Sequence, residues 1–122
     1  LGELGTLQMR IAEAAAEIDA ARLLIERDCT ETMTILRQGQ TMTLEQRARN
    51  RRDMGYAATL CMRAADRLFT ATGGGGLFDG NEMRRLFHDI RAVGAHFANS
   101  WDVAGTTFSK VALGLEPGPG PL

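Results

Sequence analysis

The chain has 122 residues, of which 44% are hydrophobic and 24% are charged, a composition typical of one globular domain with a single core. Its formal net charge of −1 gives no electrostatic reason to expect a nucleic-acid or membrane partner. No apolar run approaches the roughly 20 residues of a membrane span, and the start of the sequence has no signal-peptide pattern. Because the sequence begins LGELGTLQ, without a methionine, we expect it to be a piece of a longer protein.

Two long helices are predicted first along the chain. Apolar residues recur at three- and four-residue steps from Leu4 to Leu36, which predicts a helix over about 3–38 that stops at Gly39. Thr43 and Gln46 then have the capping-box spacing, so we expect a second helix over about 43–71, before the glycines begin. The apolar stripe of this second helix comprises Met54, Ala57, Cys61, Ala64 and Leu68.

A third helix is predicted over about 82–113, with Asn81 as its N-cap. After Gly114 the segment 115–122 (LEPGPGPL) is rich in proline and glycine, so we expect a mobile tail outside a helical domain at 1–114. The side chains that the third helix is expected to bury are Leu86, Ile90, Val93, Phe97, Trp101, Ala104 and Phe108.

The predicted fold class is all-α, an up-down bundle of long helices. Helices of about 30 to 36 residues far exceed the usual mean of roughly 11–12, and such lengths are typical of bundles. Three stripes this wide favour a fourth helical partner, from a preceding segment or from another subunit, so a homo-oligomer (dimer or tetramer) is expected. Cys29 and Cys61 lie far apart on apolar faces, which predicts buried reduced thiols and a cytoplasmic location.

One polar stripe on the third helix contains Arg85, Asp89, Ala92, His96 and Asn99, at three- and four-residue steps. Arg85 and Asp89 can form an ion pair across one turn. A partly shielded imidazole at His96 could give or take a proton near neutral pH. The alternative, which spacing alone favours, is a boundary histidine bonded to a carbonyl of a neighbouring helix.

Other motifs have both a structural and a functional interpretation. The run TGGGGL at 72–77 is a flexible turn or a backbone surface for a phosphate. His88 falls on another helix face and is expected to be solvated or at an interface. The residue spacings offer no metal site. The arginines of the EQRARNRRD segment alternate with acidic residues, as on a solvated face, and the alternative is a subunit contact or an anionic ligand; they are Arg47, Arg49, Arg51 and Arg52.

Two segments carry a resemblance to a known family. AAEIDAARLLIERD at 15–28 and the stretch from YAATLC to VALGL at 56–115 resemble the C-terminal helical domain of the acyl-CoA dehydrogenase fold. Within that fold they are most similar to flavin-dependent two-component monooxygenases that act on 4-hydroxyphenylacetate, secosteroid phenols or dibenzothiophene. The resemblance covers nearly the whole chain up to Gly114. It implies that a helical domain, a β-rich domain and one further helix of the bundle precede this chain.

The resemblance also implies roles for particular residues. LFHDIR at 86–91 places Asp89 at the family's aspartate, and His96 falls at the histidine beside the reactive edge of the flavin ring. There His96 would steady the flavin C4a-hydroperoxide and assist proton transfer, which makes it the candidate catalytic residue. Trp101 is a weak candidate for the substrate pocket. The residues implied to bind the cofactor are Gly73, Gly74, Gly75, Gly76 and Asn99.

Two departures from the family pattern limit this assignment. His88 stands where the family usually has arginine, so any ion pair of that arginine is in doubt. Ala98 stands where the commonest acyl-CoA dehydrogenases carry a catalytic glutamate, in a helix that we expect to continue. Without a carboxylate base, abstraction of an α-proton from an acyl thioester has no obvious agent.

The leading hypothesis is the oxygenase component of a two-component monooxygenase that hydroxylates an aromatic or related small molecule. It would use O2 and reduced flavin from a partner flavin reductase, with FMN favoured and FAD as the alternative. The alternatives are an acyl-CoA dehydrogenase-like FAD protein and a helical self-association module with a degenerate site. Because the flavin-holding β-domain is not in this sequence, we expect the chain to be inactive alone.

Overall fold

The computed structural model describes residues 2–73, 80, 82–120 and 122. Within that part of the chain there are four α-helices and no strand, which confirms the all-α class. The helices are α1 (Gly2–Arg37), α2 (Leu44–Ala71), α3 (Glu82–Ala95) and α4 (Trp101–Ala112). A short 3-10 helix at Phe97–Asn99 lies between α3 and α4. None of the described helices is long and apolar enough to cross a membrane.

The connection between α1 and α2 follows the sequence prediction. Gly39 has a φ of +70°, a conformation that glycine adopts without strain. The capping box is formed as expected. Oγ1 of Thr43 accepts from the Gln46 N–H at 3.2 Å, and Oε1 of Gln46 accepts from the Thr43 N–H at 2.8 Å. These bonds fix the point at which the chain enters α2.

Helix α2 lies at the centre and packs against α1, α3 and α4. Arg67 of α2 contacts Glu13 near the start of α1, while Arg49 contacts Glu31 near its end, so the two helices are antiparallel. On another side of α2, Phe69 stacks on Phe87 of α3, with ring centroids 4.4 Å apart. The up-down arrangement that we predicted is therefore present.

The prediction of one continuous helix over 82–113 is wrong. The chain leaves the helical conformation at His96 (φ −64°, ψ 135°) and at Ser100 (φ −65°, ψ 114°), so α3 and α4 are separate helices. They follow one another along α2, with Met62 next to Gly94 of α3 and Gly55 next to Ala104 of α4. The shared apolar stripe caused the error, because both helices face the same neighbour. The predicted N-cap, Asn81, lies outside the described residues.

The core consists mainly of small side chains, which let the helices approach closely. The buried apolar residues are Ala14, Ala21, Ala48, Ala57, Leu60, Ala64 and Ala104. Several large residues that we expected to be buried are exposed, because α2 covers only one side of each neighbouring helix. On α3 and after it these are Leu86, Val93, Phe97 and Trp101; on α1 they are Leu4, Leu7, Ile11, Ile18, Ile25, Met33 and Leu36.

The C-terminal segment leaves α4 at Gly114, which has a φ of +73°. From Leu115 the described residues are non-helical, as predicted. Leu122 returns to α2 and lines a small groove with Met42 and Arg47. The mobility that we expected of this segment stays a prediction.

Candidate functional site

His96 lies at the junction turn, which we define as residues 96–100 between α3 and α4. Its backbone is extended, and its imidazole caps the 3-10 helix: Nδ1 accepts a hydrogen bond from the Ala98 N–H at 3.1 Å. A neutral imidazole has one N–H, so a ring whose Nδ1 is an acceptor carries its proton on Nε2. The backbone therefore selects the Nε2–H tautomer and leaves that N–H as a donor for something outside the turn.

His96 is exposed, and exposed apolar side chains lie close to it in the sequence. Val93, three residues before it, is 54% exposed, and Phe97, the next residue, is 57% exposed. No hydrogen bond to Nε2 of His96 is present among the described residues. The alternative interpretation, a boundary histidine bonded to a carbonyl of a neighbouring helix, therefore has no such bond among the described residues. An exposed N–H donor beside apolar side chains is the surface that a flat, largely apolar ring with polar edges would occupy.

Asn99 belongs to the same turn but is already engaged. Its side-chain Nδ2 donates to the carbonyl oxygen of Val93 at 2.8 Å, in the last turn of α3, and this oxygen also accepts from the His96 N–H at 3.2 Å. The predicted cofactor-binding role of Asn99 is thus restricted to its carboxamide oxygen. That role stays a prediction.

Of the four predicted flavin-binding glycines, the structure describes only Gly73. It has a φ of +61°, and a Cβ added there would meet nothing within 4 Å. Its backbone is therefore open to close approach by a ligand. Gly74, Gly75 and Gly76 lie outside the described residues, and their assignment stays a prediction.

Trp101 begins α4 and is 40% exposed. Its ring centroid lies 5.0 Å from that of Tyr56 on α2, and its other side lines a cleft of about 600 Å³. Arg52 and Phe108 line the same cleft, with the guanidinium 4.4 Å from the centre of the phenyl ring. The expectation that Trp101 is a core residue is wrong for this chain. A role in substrate binding stays a prediction.

The polar stripe of α3 is shorter than predicted. Arg85 donates to Asp89 at 3.2 Å, as expected for an i,i+4 pair, and both side chains are more than 60% exposed. Because α3 ends at Ala95, His96 does not continue this stripe. His88 is exposed, as predicted, and lies edge-on to Phe87.

The arginine cluster of α2 is not a uniformly solvated face. Arg47 is exposed as expected, but Arg51 is only 8% exposed and Asp53 only 1%. The sequence contained a signal for this, since Arg51 is three residues after the buried Ala48 and four before the buried Gly55. Nη2 of Arg51 donates to the Phe97 carbonyl oxygen at 3.4 Å, so this helix face contacts the junction turn.

A buried polar cluster joins α1 to α2 beside these arginines. Asp53 accepts from Arg27 of α1 and, at 2.7 Å, from Nε of Arg52. Asp28 is 6% exposed, and its Oδ2 has no hydrogen-bond partner. Burial raises the pKa of the Asp28 carboxyl, and the charge of Asp53 raises it further, against the opposing effect of Arg27.

The two cysteines differ from the sequence prediction in part. Both thiols are free, as expected, but Cys29 is exposed rather than buried. Cys61 is half-buried, and burial raises the pKa of its thiol. Cys29 lines an open groove with Asn50 and Met54 of α2, and it is exposed because the two helices do not close over it.

Comparisons with known proteins bear on this geometry. Residues 2–101 match the profile of the family described as acyl-CoA dehydrogenase, C-terminal domain. The oxygenase component of FADH(2)-dependent resorcinol hydroxylase from a Rhizobium species is 35% identical, over 96% of this chain and 30% of the relative. The oxygenase component of p-hydroxyphenylacetate 3-hydroxylase from Acinetobacter baumannii is 34% identical, over 91% of this chain and 26% of the relative.

A solved structure shares the helical arrangement. The HsaA monooxygenase from Mycobacterium tuberculosis superimposes with a TM-score of 0.84 at 34% identity, over 90% of this chain and 29% of that chain. This chain thus spans less than a third of the length of these relatives.

Proposed function

We propose that this chain, which belongs to the acyl-CoA dehydrogenase C-terminal domain family, is the C-terminal helical part of a flavin-dependent oxygenase component. The complete protein would hydroxylate an aromatic or related small molecule with reduced flavin and O2. The observation that carries the proposal is the exposed His96, whose Nδ1 accepts from the Ala98 N–H, so that Nε2 is left to carry the proton. The relatives named as oxygenase components support the same reaction class.

The residues present fit one edge of a flavin. The exposed side chains of Val93 and Phe97 offer apolar surface for the ring, and His96 offers a donor for a polar atom at its edge. When bound, reduced flavin supplies the electrons for the reaction with O2. His96 would donate a hydrogen bond from Nε2. Because the Ala98 N–H occupies Nδ1, His96 would give or take a proton at Nε2 only.

The cofactor and partners follow from this assignment. Reduced flavin would come from a partner flavin reductase, and the two-component relatives support that expectation. The sequence hypothesis favours FMN, whereas the Rhizobium relative is an FADH(2)-dependent enzyme. The exposed apolar side chains of α1 support assembly into a homo-oligomer. The two free thiols support the cytoplasmic location.

Hydroxylation by the complete protein tests the proposal. The protein is mixed with reduced flavin, O2 and a phenol such as resorcinol, and the hydroxylated product and hydrogen peroxide are measured. His96→Asn should lower the rate of hydroxylation by at least about 100-fold, as expected for loss of a group that moves a proton. His88→Asn is the matched control, because His88 is exposed on α3 and should leave the rate unchanged.

Two results would contradict this proposal. If His96→Asn hydroxylates as fast as wild type, His96 has no role in the reaction. If reduced flavin reacts with O2 without forming a hydroxylated product from any phenol tested, the reaction class is wrong. Reduction of bound FAD by an acyl-CoA would then indicate a dehydrogenase, although Ala98 and its neighbours offer no carboxylate base.

A further inference from the structure

The peptide group between Phe97 and Ala98 joins a buried arginine to the candidate catalytic imidazole. Its N–H, from Ala98, donates to Nδ1 of His96 at 3.1 Å. Its carbonyl oxygen, from Phe97, accepts from Nη2 of Arg51 at 3.4 Å. Because a trans peptide is planar and its N–H and C=O point in opposite directions, one bond orients the other.

Arg51 is placed to act on this peptide. The residue is 8% exposed, and its guanidinium carbon lies 5.8 Å from the centre of the Phe97 ring. Among the described residues Arg51 has no carboxylate partner within ion-pair distance, and its Nε has no hydrogen-bond partner. The hydrogen bond that the structure gives this buried guanidinium is therefore the one to the Phe97 carbonyl.

A charged donor on a carbonyl also strengthens the N–H at the other end of the same peptide. Hydrogen bonds in series polarise one another, and bonds to ionised groups are stronger than neutral ones. Ser100 adds to this, since its N–H donates to the same Phe97 oxygen at 3.1 Å. The oxygen thus has two donors, which oppose rotation of the peptide and keep the Ala98 N–H directed at His96.

We propose that Arg51 is a positioning residue, which acts through the Phe97–Ala98 peptide to hold His96 in the Nε2–H tautomer. Arg51 itself does not touch the reacting groups. The consequence for hydroxylation rests on the function proposed above, whereas the tautomer itself does not. Arg51→Met would free the peptide to rotate, so His96 would sample both tautomers and both ring orientations.

The tautomer can be measured directly by NMR of the complete protein labelled with 15N in histidine. His96 is assigned by the resonances that disappear in His96→Gln, at about pH 8, where an ordinary histidine is neutral. Wild type should show the widely separated Nδ1 and Nε2 shifts of a single Nε2–H tautomer. In Arg51→Met the two shifts should move toward one another, and Arg51→Lys, which keeps a charged donor, should reverse part of that movement.

Arg67→Met is the matched control, because Arg67 pairs with Glu13 and Glu17 far from the junction turn. It should leave the His96 shifts unchanged. Ala98→Pro gives a second route that keeps Arg51 intact, since proline has no N–H to donate. Ala98→Pro should produce the same convergence of the two shifts as Arg51→Met. Retention of the single Nε2–H tautomer in either variant would overturn the proposal.

The wild-type spectrum can overturn the proposal even if Arg51→Met does not fold. A His96 that carries its proton on Nδ1, or that already averages between tautomers in wild type, would overturn it. A different result would contradict the proposed function while leaving the role of Arg51 intact. In that case His96 has a single tautomer that depends on Arg51, but His96→Asn leaves the rate of hydroxylation unchanged. If both proposals hold, Arg51→Met should also lower the hydroxylated product formed per reduced flavin, with the balance appearing as hydrogen peroxide.

Discussion

Asp53 of α2 and Arg27 of α1 form an ion pair in which the carboxylate side chain is 2% exposed and the guanidinium side chain 42%. Arg52, one residue earlier on α2, donates to the other carboxylate oxygen at 2.7 Å. The carboxylate therefore has charged donors from two sources, one from each of the long helices. This arrangement links α1 to the helix that supports the rest of the bundle.

Removal of the Asp53 charge should destabilise the chain. Asp53→Ala leaves Arg27 and Arg52 without a shared acceptor, and hydrogen bonds to charged groups contribute about 1.5–3 kcal/mol each. Both arginines can recover water, so we expect a loss of about 2–4 kcal/mol in the free energy of unfolding, measured with urea. Asp66→Ala is the control, because Asp66 pairs with Arg91 on the surface and should cost less than about 1 kcal/mol. Equal losses in the free energy of unfolding for the two variants would show that burial does not make the Asp53 pair more stabilising than a surface pair.

Asp28 should make stability depend on pH. Burial and the nearby Asp53 raise the pKa of Asp28 above its ordinary value of 3.8, so the folded chain binds that proton more tightly than the unfolded chain. The native state is then destabilised where Asp28 is ionised. This penalty is absent below the ordinary pKa and develops as the pH rises through the folded one.

Asp28→Asn should therefore unfold at a higher temperature than wild type near neutral pH. The difference in Tm should shrink as the pH is lowered toward about 4, because wild-type Asp28 then takes up its proton. Thermal unfolding of both proteins across this range gives the measurement. A variant that is less stable than wild type at neutral pH would mean that attraction to Arg27 and to Arg49, whose Nε lies 3.9 Å from Oδ1 of Asp28, outweighs burial.

Gly55 should not tolerate alanine. A Cβ at this position would lie 3.0 Å from Cβ of Ala104 and 3.6 Å from the Ser100 carbonyl oxygen. Overpacking of this kind costs about 1–3 kcal/mol and exceeds the gain of at most about 1 kcal/mol in helix propensity. The net loss should be about 1–2 kcal/mol in urea unfolding. Gly5→Ala is the matched control in α1, where a Cβ meets nothing within 4 Å, and it should stabilise the chain or leave it unchanged.

Local signals in the sequence predicted the helices well. Gly39 ends α1, and the capping box at Thr43 begins α2, because these features depend on residues within one turn of each other. The break between α3 and α4 was missed. A start signal is present, since Ser100 is the N-cap of α4 and Asp102 lies in its first turn, but the apolar stripe that continues through the junction outweighed it.

The candidate site was predicted in part. His96 came from the family resemblance, while its exposure and the hydrogen bond of the Ala98 N–H to its Nδ1 could be found only from coordinates. Arg51 was predicted to be solvated because charged neighbours surround it in sequence. Burial of an arginine depends on a carbonyl acceptor 46 residues away, and helical periodicity carries no information on such a partner.

Asn99 should have a structural role that is separable from flavin binding. Its Nδ2 donates to the Val93 carbonyl oxygen at 2.8 Å, so Asn99→Ala leaves a terminal carbonyl of α3 without that bond. We expect a loss of about 1 kcal/mol in the free energy of unfolding, measured without flavin. Asn99→Asp should lose more, since a carboxylate would face the carbonyl oxygen. If Asn99 served the cofactor alone, both variants would keep wild-type stability without flavin and would only weaken flavin binding, which titration of the complete protein measures directly.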